Sequence, residues 1–145
     1  MDYDEYIEEC KKIKKENKIL LDIFADYLKE QKLSDKTIKK HYENVDFYLN
    51  DYMLYEDAHP MQDGVCMIGD YLGYFFIRKC MWSTPGTIKS TAASIKKFYK
   101  CMLMAGKIEK DYYQNLCDEI KEGLPEWMDD CAEYNDPDGD DPFFF

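Results

Sequence analysis

Apolar residues recur at helical spacing in two stretches that open alike, Ser34-Asp-Lys-Thr-Ile-Lys and Thr84-Pro-Gly-Thr-Ile-Lys. Ser34 and Thr84 suit the N-cap, where a hydroxyl oxygen accepts from a free amide of the first turn. Pro85 suits the first helical position, because it has no N–H to lose there. With Ile38 laid on Ile88, the apolar positions Ile38, Tyr42, Val45, Leu49 and Tyr52 fall on Ile88, Ala92, Ile95, Tyr99 and Met102. That spacing keeps one side of each helix buried. The pattern predicts helices from Asp35 to about Tyr52 and from Pro85 to Ala105, the latter closed by Gly106 as a left-handed C-cap.

The same periodicity predicts a first helix over 4–32, with a break near Asn17. Its adjoining apolar rows are Ile19, Ile23, Tyr27 and Leu20, Phe24, Leu28. A loop at 55–60 ends in Pro60, and a third helix covers 62–81 with Val65, Ile68, Leu72, Phe75 and Phe76 inward. Gly64, Gly69 and Gly73 each weaken that helix by about 1 kcal/mol relative to Ala, or else permit close helix packing. A fifth helix begins near Asp111, uses Tyr112, Leu116 and Ile120, and stops at Gly123. A short last helix runs from Leu124 to about Tyr134. No strand-like alternation stands out. The expected class is all-α, with one helical domain over 1–134 and an acidic tail over 135–145.

Charge changes this picture, because it is unevenly spread. The chain has 145 residues and a formal net charge of −11. Residues 111–145 hold 12 acids and one base, Lys121. Residues 41–70 hold 7 acids and no base, whereas 71–110 hold 8 bases and one acid, Glu109. An acidic whole argues against nonspecific nucleic-acid binding, and a local basic stretch partly reverses that argument. The acidic N-terminus lacks the apolar run of a cleavable signal. No segment approaches the roughly 18 apolar residues of a membrane span. A cytoplasmic, soluble protein is expected.

The six cysteines form no C-x-x-C pair and read as reduced packing residues. No zinc site is expected, since His41 and His59 make no close ligand pair. Asp136-Pro-Asp-Gly-Asp-Asp lacks the glycine and glutamate spacing of a calcium loop, so it reads as a solvated tail. No cofactor is expected.

The order of these elements resembles the core-binding domain of tyrosine recombinases, the phage integrases. The resemblance covers about residues 18–122. It rests on Phe24-Ala-Asp-Tyr-Leu, on Ser34-Asp-Lys-Thr-Ile-Lys-Lys-His-Tyr, and on Thr84 through Tyr99 closing at Gly106-Lys-Ile. It implies a SAM-like bundle of four to five helices whose second and fourth helices lie against double-stranded DNA. The residues expected to face DNA are Thr37, Lys39, Lys40, Thr87, Lys89, Lys96, Lys97 and Lys100. The recombinase chemistry is not expected here. It belongs to a separate catalytic domain, and Arg78 is the only arginine, so a two-arginine phosphate clamp cannot be built.

Helix geometry sharpens the expected DNA face. With Ile88 at zero, Lys89, Lys96, Lys100 and Lys107 fall at about 100°, 80°, 120° and 100°, one stripe flanking the apolar face. Such a stripe suits phosphates and would position the duplex rather than read it. The competing reading is a solvated helix face. The equivalent stripe of the Ser34 helix is Lys39, Asp46 and Asn50, and Glu43, Asp46 and Asp51 would repel phosphate. Phe47 points away from the main apolar stripe, into a second packing layer or an interface. Phe143-Phe144-Phe145 reads as a loose end or a docking segment.

The leading expectation is a non-catalytic, integrase-like domain with weak or accessory DNA binding, whose acidic tail lowers affinity by folding over the stripe. The alternative is a protein–protein interaction or self-association module that has lost DNA binding.

Overall fold

The computed structural model describes residues 2–136. Helix α1 spans Tyr3–Glu30 and α2 spans Asp35–Asp46, continuing as a π-helical stretch at Phe47–Tyr52. A 3₁₀ turn follows at Met61–Val65. The third helical run consists of α3 (Ile68–Asp70), a π-helical stretch (Tyr71–Phe75) and α4 (Phe76–Lys79). Helix α5 spans Pro85–Met104 and α6 spans Lys110–Asn135. The fold is all-helical, with no strand among the described residues.

The two matched helix openings form as expected. Ser34 Oγ accepts from Thr37 N at 3.2 Å, and Thr84 Oγ1 accepts from Thr87 N at 3.0 Å. Thr87 Oγ1 returns the contact by accepting from Thr84 N at 2.7 Å, which closes a capping box on α5. The shared apolar register is also real. Ile38, Val45, Leu49 and Tyr52 are buried, as are Ile88, Ala92, Ile95, Tyr99 and Met102. Gly106 adopts φ +73° after α5, the left-handed cap that ends it.

The break expected near Asn17 does not occur. Cys10, Ile13, Asn17, Leu21, Phe24 and Leu28 form one buried stripe along an unbroken α1. Asn17 enters the interior because it has a partner there: its Nδ2 donates to Asn50 Oδ1 at 2.7 Å, and Asn50 Nδ2 donates to Asp46 Oδ1 at 2.6 Å.

The expected stop at Gly123 and separate last helix are replaced by one long α6 with Pro125 inside it. Trp127 and Cys131 stay in helical register with Leu116 and Ile120, so a continuous apolar stripe docks α6 onto the third run. Gly123 makes room rather than ending the helix, since a Cβ there would meet Trp127 Cζ2 at 2.2 Å. Gly73 receives the same indole from the other side, its would-be Cβ 2.7 Å from Trp127 Cδ1. Gly73, and Gly64 with its would-be Cβ 2.0 Å from Tyr99 Oη, therefore serve close packing, whereas a Cβ on Gly69 would make only ordinary contacts. That helix is also less regular than the expected 62–81 segment, because Cys66 and Met67 interrupt it.

Tyrosine hydroxyls close the loop between α2 and the third run. Tyr48 donates to Gly64 O at 2.6 Å and Tyr99 donates to Met61 O at 2.7 Å, both from buried rings. Phe47 occupies a second packing layer, its ring 5.7 Å from Trp82 and 6.4 Å from Tyr71. Four of the six cysteines are buried, Cys117 is half-buried, Cys66 is exposed, and all are free thiols. Burial pushes the Cys80 and Cys101 thiols up to about 11, consistent with packing rather than reactive roles.

Asn135, expected in the tail, is the last residue of α6, and its Nδ2 donates to Ser83 O at 2.6 Å. The rest of the expected acidic tail, including Phe143–Phe145, lies outside the described residues from position 137 onward.

Candidate nucleic-acid interface

Helix α5 is central, packing against α1, α2 and α6. Its buried side includes Ile88, Thr91, Ala92, Ser94, Ile95, Phe98 and Tyr99. Phe98 meets Phe24 of α1 edge-on, with ring centroids 5.4 Å apart. That anchoring leaves Lys89, Lys96 and Lys100 exposed and Lys97 half-buried. At a rise of about 1.5 Å per residue, the stripe from Lys89 to Lys100 is roughly 16 Å long. No carboxylate lies within ion-pairing distance of these four lysines among the described residues. In a chain with 30 acids and 19 bases, that is a local separation of charge.

Lys96, Lys97 and Lys100 line one shallow depression of about 310 Å³ with Ala93, Tyr27 of α1 and Tyr113 of α6. Lys100 Nζ sits 5.3 Å from the centre of the Tyr113 ring. Such a cation–ring contact steadies the ammonium while leaving its protons outward. The two tyrosines were not among the expected site residues. Nothing local marks them, because they reach the lysines only through the packing of three helices.

Lys107 departs from the expected stripe. Helix α5 ends at Met104, and the left-handed turn at Gly106 carries Lys107 elsewhere, beside Gln62 at two other depressions. The 100° extrapolation fails there because the residues past the cap are no longer helical.

The α2 residues are arranged differently. Lys39 and Lys40 are exposed, and Lys39 Nζ is 3.8 Å from Glu43 Oε1, which neutralises part of its field. The hydroxyls of Thr37 and Thr87 are engaged in the helix caps. Ser34 Oγ donates to Thr37 Oγ1 at 2.9 Å, and Thr87 Oγ1 donates to Thr84 O at 3.0 Å. The structure thus brings Lys96, Lys97 and Lys100 together and places Lys89 on the same helix. Thr37, Lys39 and Lys40 sit on the neighbouring α2.

A polar joint locks α2 to α5. Ser94, fully buried, donates to Ser90 O at 3.1 Å and accepts from Asn44 Nδ2 at 3.0 Å. His41 Nδ1 lies 2.7 Å from the same hydroxyl. When Ser94 gives its proton to Ser90, His41 donates from Nδ1, and in the other tautomer His41 Nδ1 accepts that proton instead. Burial first, and then the Lys97 charge, hold the His41 pKa below its ordinary value. At neutral pH the ring is therefore uncharged and adds nothing to the basic face.

Arg78 does not join this face. Its guanidinium lies over the rings of Tyr74 at 4.1 Å and Tyr134 at 5.5 Å. Among the described residues no group of three or more His, Cys, Asp or Glu is placed to hold a metal ion, and no helix is long and apolar enough to cross a membrane. No protein-family model, curated protein or solved structure matches this chain.

Proposed function

We propose that this chain is a non-catalytic helical module of the SAM-like, integrase core-binding type. It contacts the phosphates of double-stranded DNA through the basic side of α5. The observation that carries this reading is the set of lysines Lys89, Lys96, Lys97 and Lys100, without an ion-pair partner among the described residues, on the helix best anchored in the core. Unpaired ammonium groups at helical spacing can each displace a counterion from DNA without first breaking an ion pair. The half-neutralised α2 supplies less, so the interaction is weak or accessory.

The test is fluorescence anisotropy with a labelled duplex at about 50 mM salt, where phosphate contacts are strongest. The full chain and a variant ending at Asp136 are compared, since Asn135 is tied to Ser83. Binding that strengthens on truncation supports the reading and assigns the acidic tail a damping role. Absence of binding by both forms refutes it.

A second reading, a protein-contact module, rests on a separate observation. Met81 is 100% exposed and Trp82 more than half exposed just past the end of α4, and Tyr74 and Tyr134, also more than half exposed, hold the α4 residue Arg78 over their rings. Exposed aromatic and methionine side chains around an arginine match the composition of interface cores. Sedimentation of the full chain discriminates. A dimer that dissociates on Trp82→Ser favours self-association through this end, and a monomer at all concentrations counts against it.

A further inference from the structure

The last turn of α6 is held to the connection between α4 and α5 at two points. Asn135 Nδ2 donates to Ser83 O at 2.6 Å, and the Arg78 guanidinium lies 5.5 Å from the centre of the Tyr134 ring. Met81 and Trp82 fall between those two anchors in the chain, and both are exposed. Their apolar surface therefore lies beside the point where residues 137–145 continue from α6. Behind Trp82 is a depression of about 240 Å³ whose lining includes Phe47, Tyr71, Phe76 and Trp82 itself. The indole meets Phe47 at 5.7 Å and Phe76 at 6.3 Å, yet Trp82 stays 57% exposed. Adjacent exposed Met and Trp side chains beside a ring-lined depression form a patch that gains by being covered.

The sequence after α6 is suited to cover it. Asp136-Pro137-Asp138-Gly139 has Asp, Pro and Gly at the first, second and fourth places, the pattern of a type I turn that reverses the chain. A reversal there directs Asp140–Phe145 back toward the bundle rather than onward along the α6 axis. From Asp136 to Phe143 the chain advances seven residues, at most about 25 Å when fully extended. Trp82 is the chain neighbour of Ser83, which holds Asn135, so it lies well within that reach. Charge agrees with this path. Arg78 and Lys79 are exposed and have no carboxylate within ion-pairing distance among the described residues. The first turn of α5 carries no acid either, which leaves its partial positive charge open to Asp138, Asp140 and Asp141. Glu43 lines the depression and disfavours carboxylates there, so the rings are what it takes. A short tether holds those rings at an effective concentration on the order of millimolar, whereas a second copy supplies only its bulk concentration.

We infer that Phe143–Phe145 dock on Met81, Trp82 and the depression behind the indole, with Asp138, Asp140 and Asp141 against Arg78, Lys79 and the first turn of α5. Docking here is independent of the DNA reading, since this depression shares no residue with the one lined by Lys96, Lys97 and Lys100. It differs from self-association at the same surface in its occupant, which is the chain's own segment.

The test follows the two tryptophan indole N–H resonances of the full chain by NMR, with a soluble gadolinium chelate as the probe of exposure. Trp82→Phe identifies the Trp82 signal by its loss, and buried Trp127 serves as the reference for an intact fold. In the full chain Trp82 should be shielded from the chelate. A full-length variant carrying Phe143→Ser, Phe144→Ser and Phe145→Ser should shift the Trp82 resonance and lose that shielding, with Trp127 unmoved. Asp138→Asn, Asp140→Asn and Asp141→Asn together should cause part of the same shift, and added salt should mimic it. Dilution should leave the full-chain signal unchanged. A Trp82 resonance with the same position and broadening in the full chain and the Phe variant overturns the inference. A Trp82 shift that grows with protein concentration also overturns it, and assigns the surface to a second copy.

Discussion

Helices α2 and α5 begin with the same cap chemistry and keep the same apolar register, yet they end and present themselves differently. Ser34 and Thr84 each satisfy the amide three residues on, and Ile38 and Ile88 each start a buried stripe. Helix α5 then runs 20 residues to a glycine cap, whereas α2 widens into a π-helical stretch after Asp46. The widened turn lets Phe47, Tyr48, Leu49 and Tyr52 all reach packing partners on more than one side. On the outer surface, Lys39 leans on Glu43 while the lysines of α5 meet no acid among the described residues. The difference teaches that the apolar register specifies where a helix packs, while function is written on the positions the register leaves free.

The largest effects should come from the shared register. Ile38→Ala and Ile88→Ala are each expected to cost about 2–5 kcal/mol in urea unfolding, with Ile88 the costlier because it is wholly buried and Ile38 is 8% exposed. An equal or reversed order would mean that α2 is as central to the core as α5.

Charge reversal comes next. Replacing Lys89, Lys96 and Lys100 with Glu should weaken duplex binding by at least about tenfold. Single neutral replacements should each lower the salt slope by about one. The same treatment of Lys39 and Lys40 should do less, and a matching loss would erase the distinction between the two faces.

Cap removal should affect the two helices similarly, since both hydroxyls do the same work. Ser34→Ala and Thr84→Ala are each expected to cost about 1 kcal/mol by thermal or urea melting. A markedly larger loss at Thr84 would credit the reciprocal bond of the capping box.

Glu43→Gln with Asp46→Asn should make α2 more like α5 and raise duplex affinity by about two- to threefold, read by anisotropy at low salt. Unchanged affinity would show that DNA does not approach α2.

The smallest effect concerns His41. Its folded pKa is lowered, so the unfolded chain takes up this proton first. Stability contributed by the neutral ring is then present above pH ~6.5 and is lost as pH falls below that value toward the folded pKa. His41→Gln should flatten that part of the pH profile, measured by urea melts across the acid range.

Much of the fold could be read from local chemistry. The caps at Ser34 and Thr84, the turn at Gly106 and the two buried stripes depend on residues a few positions apart, so they were legible. Asn17 and Gly123 misled for one reason: a polar or flexible residue reads as a breaker until its partner across the bundle is known. Asn17 has Asn50, and Gly123 has the Trp127 indole. The basic side of α5 followed from helical angles, up to the point where the helix stopped and Lys107 left it.

By itself, then, the sequence determined the helical class, the start of α2 and α5, their buried faces and the separation of charge along the chain. These depend on backbone capping and on a period of about 3.6 residues, which act over short distances. Tertiary structure alone decided that α1 and α6 run unbroken and that Tyr27 and Tyr113 join the lysines. It also decided that the last turn of α6 is held at Ser83, beside Trp82. Those outcomes depend on which surfaces can interdigitate at full density, and that is a property of the assembled bundle rather than of any one segment.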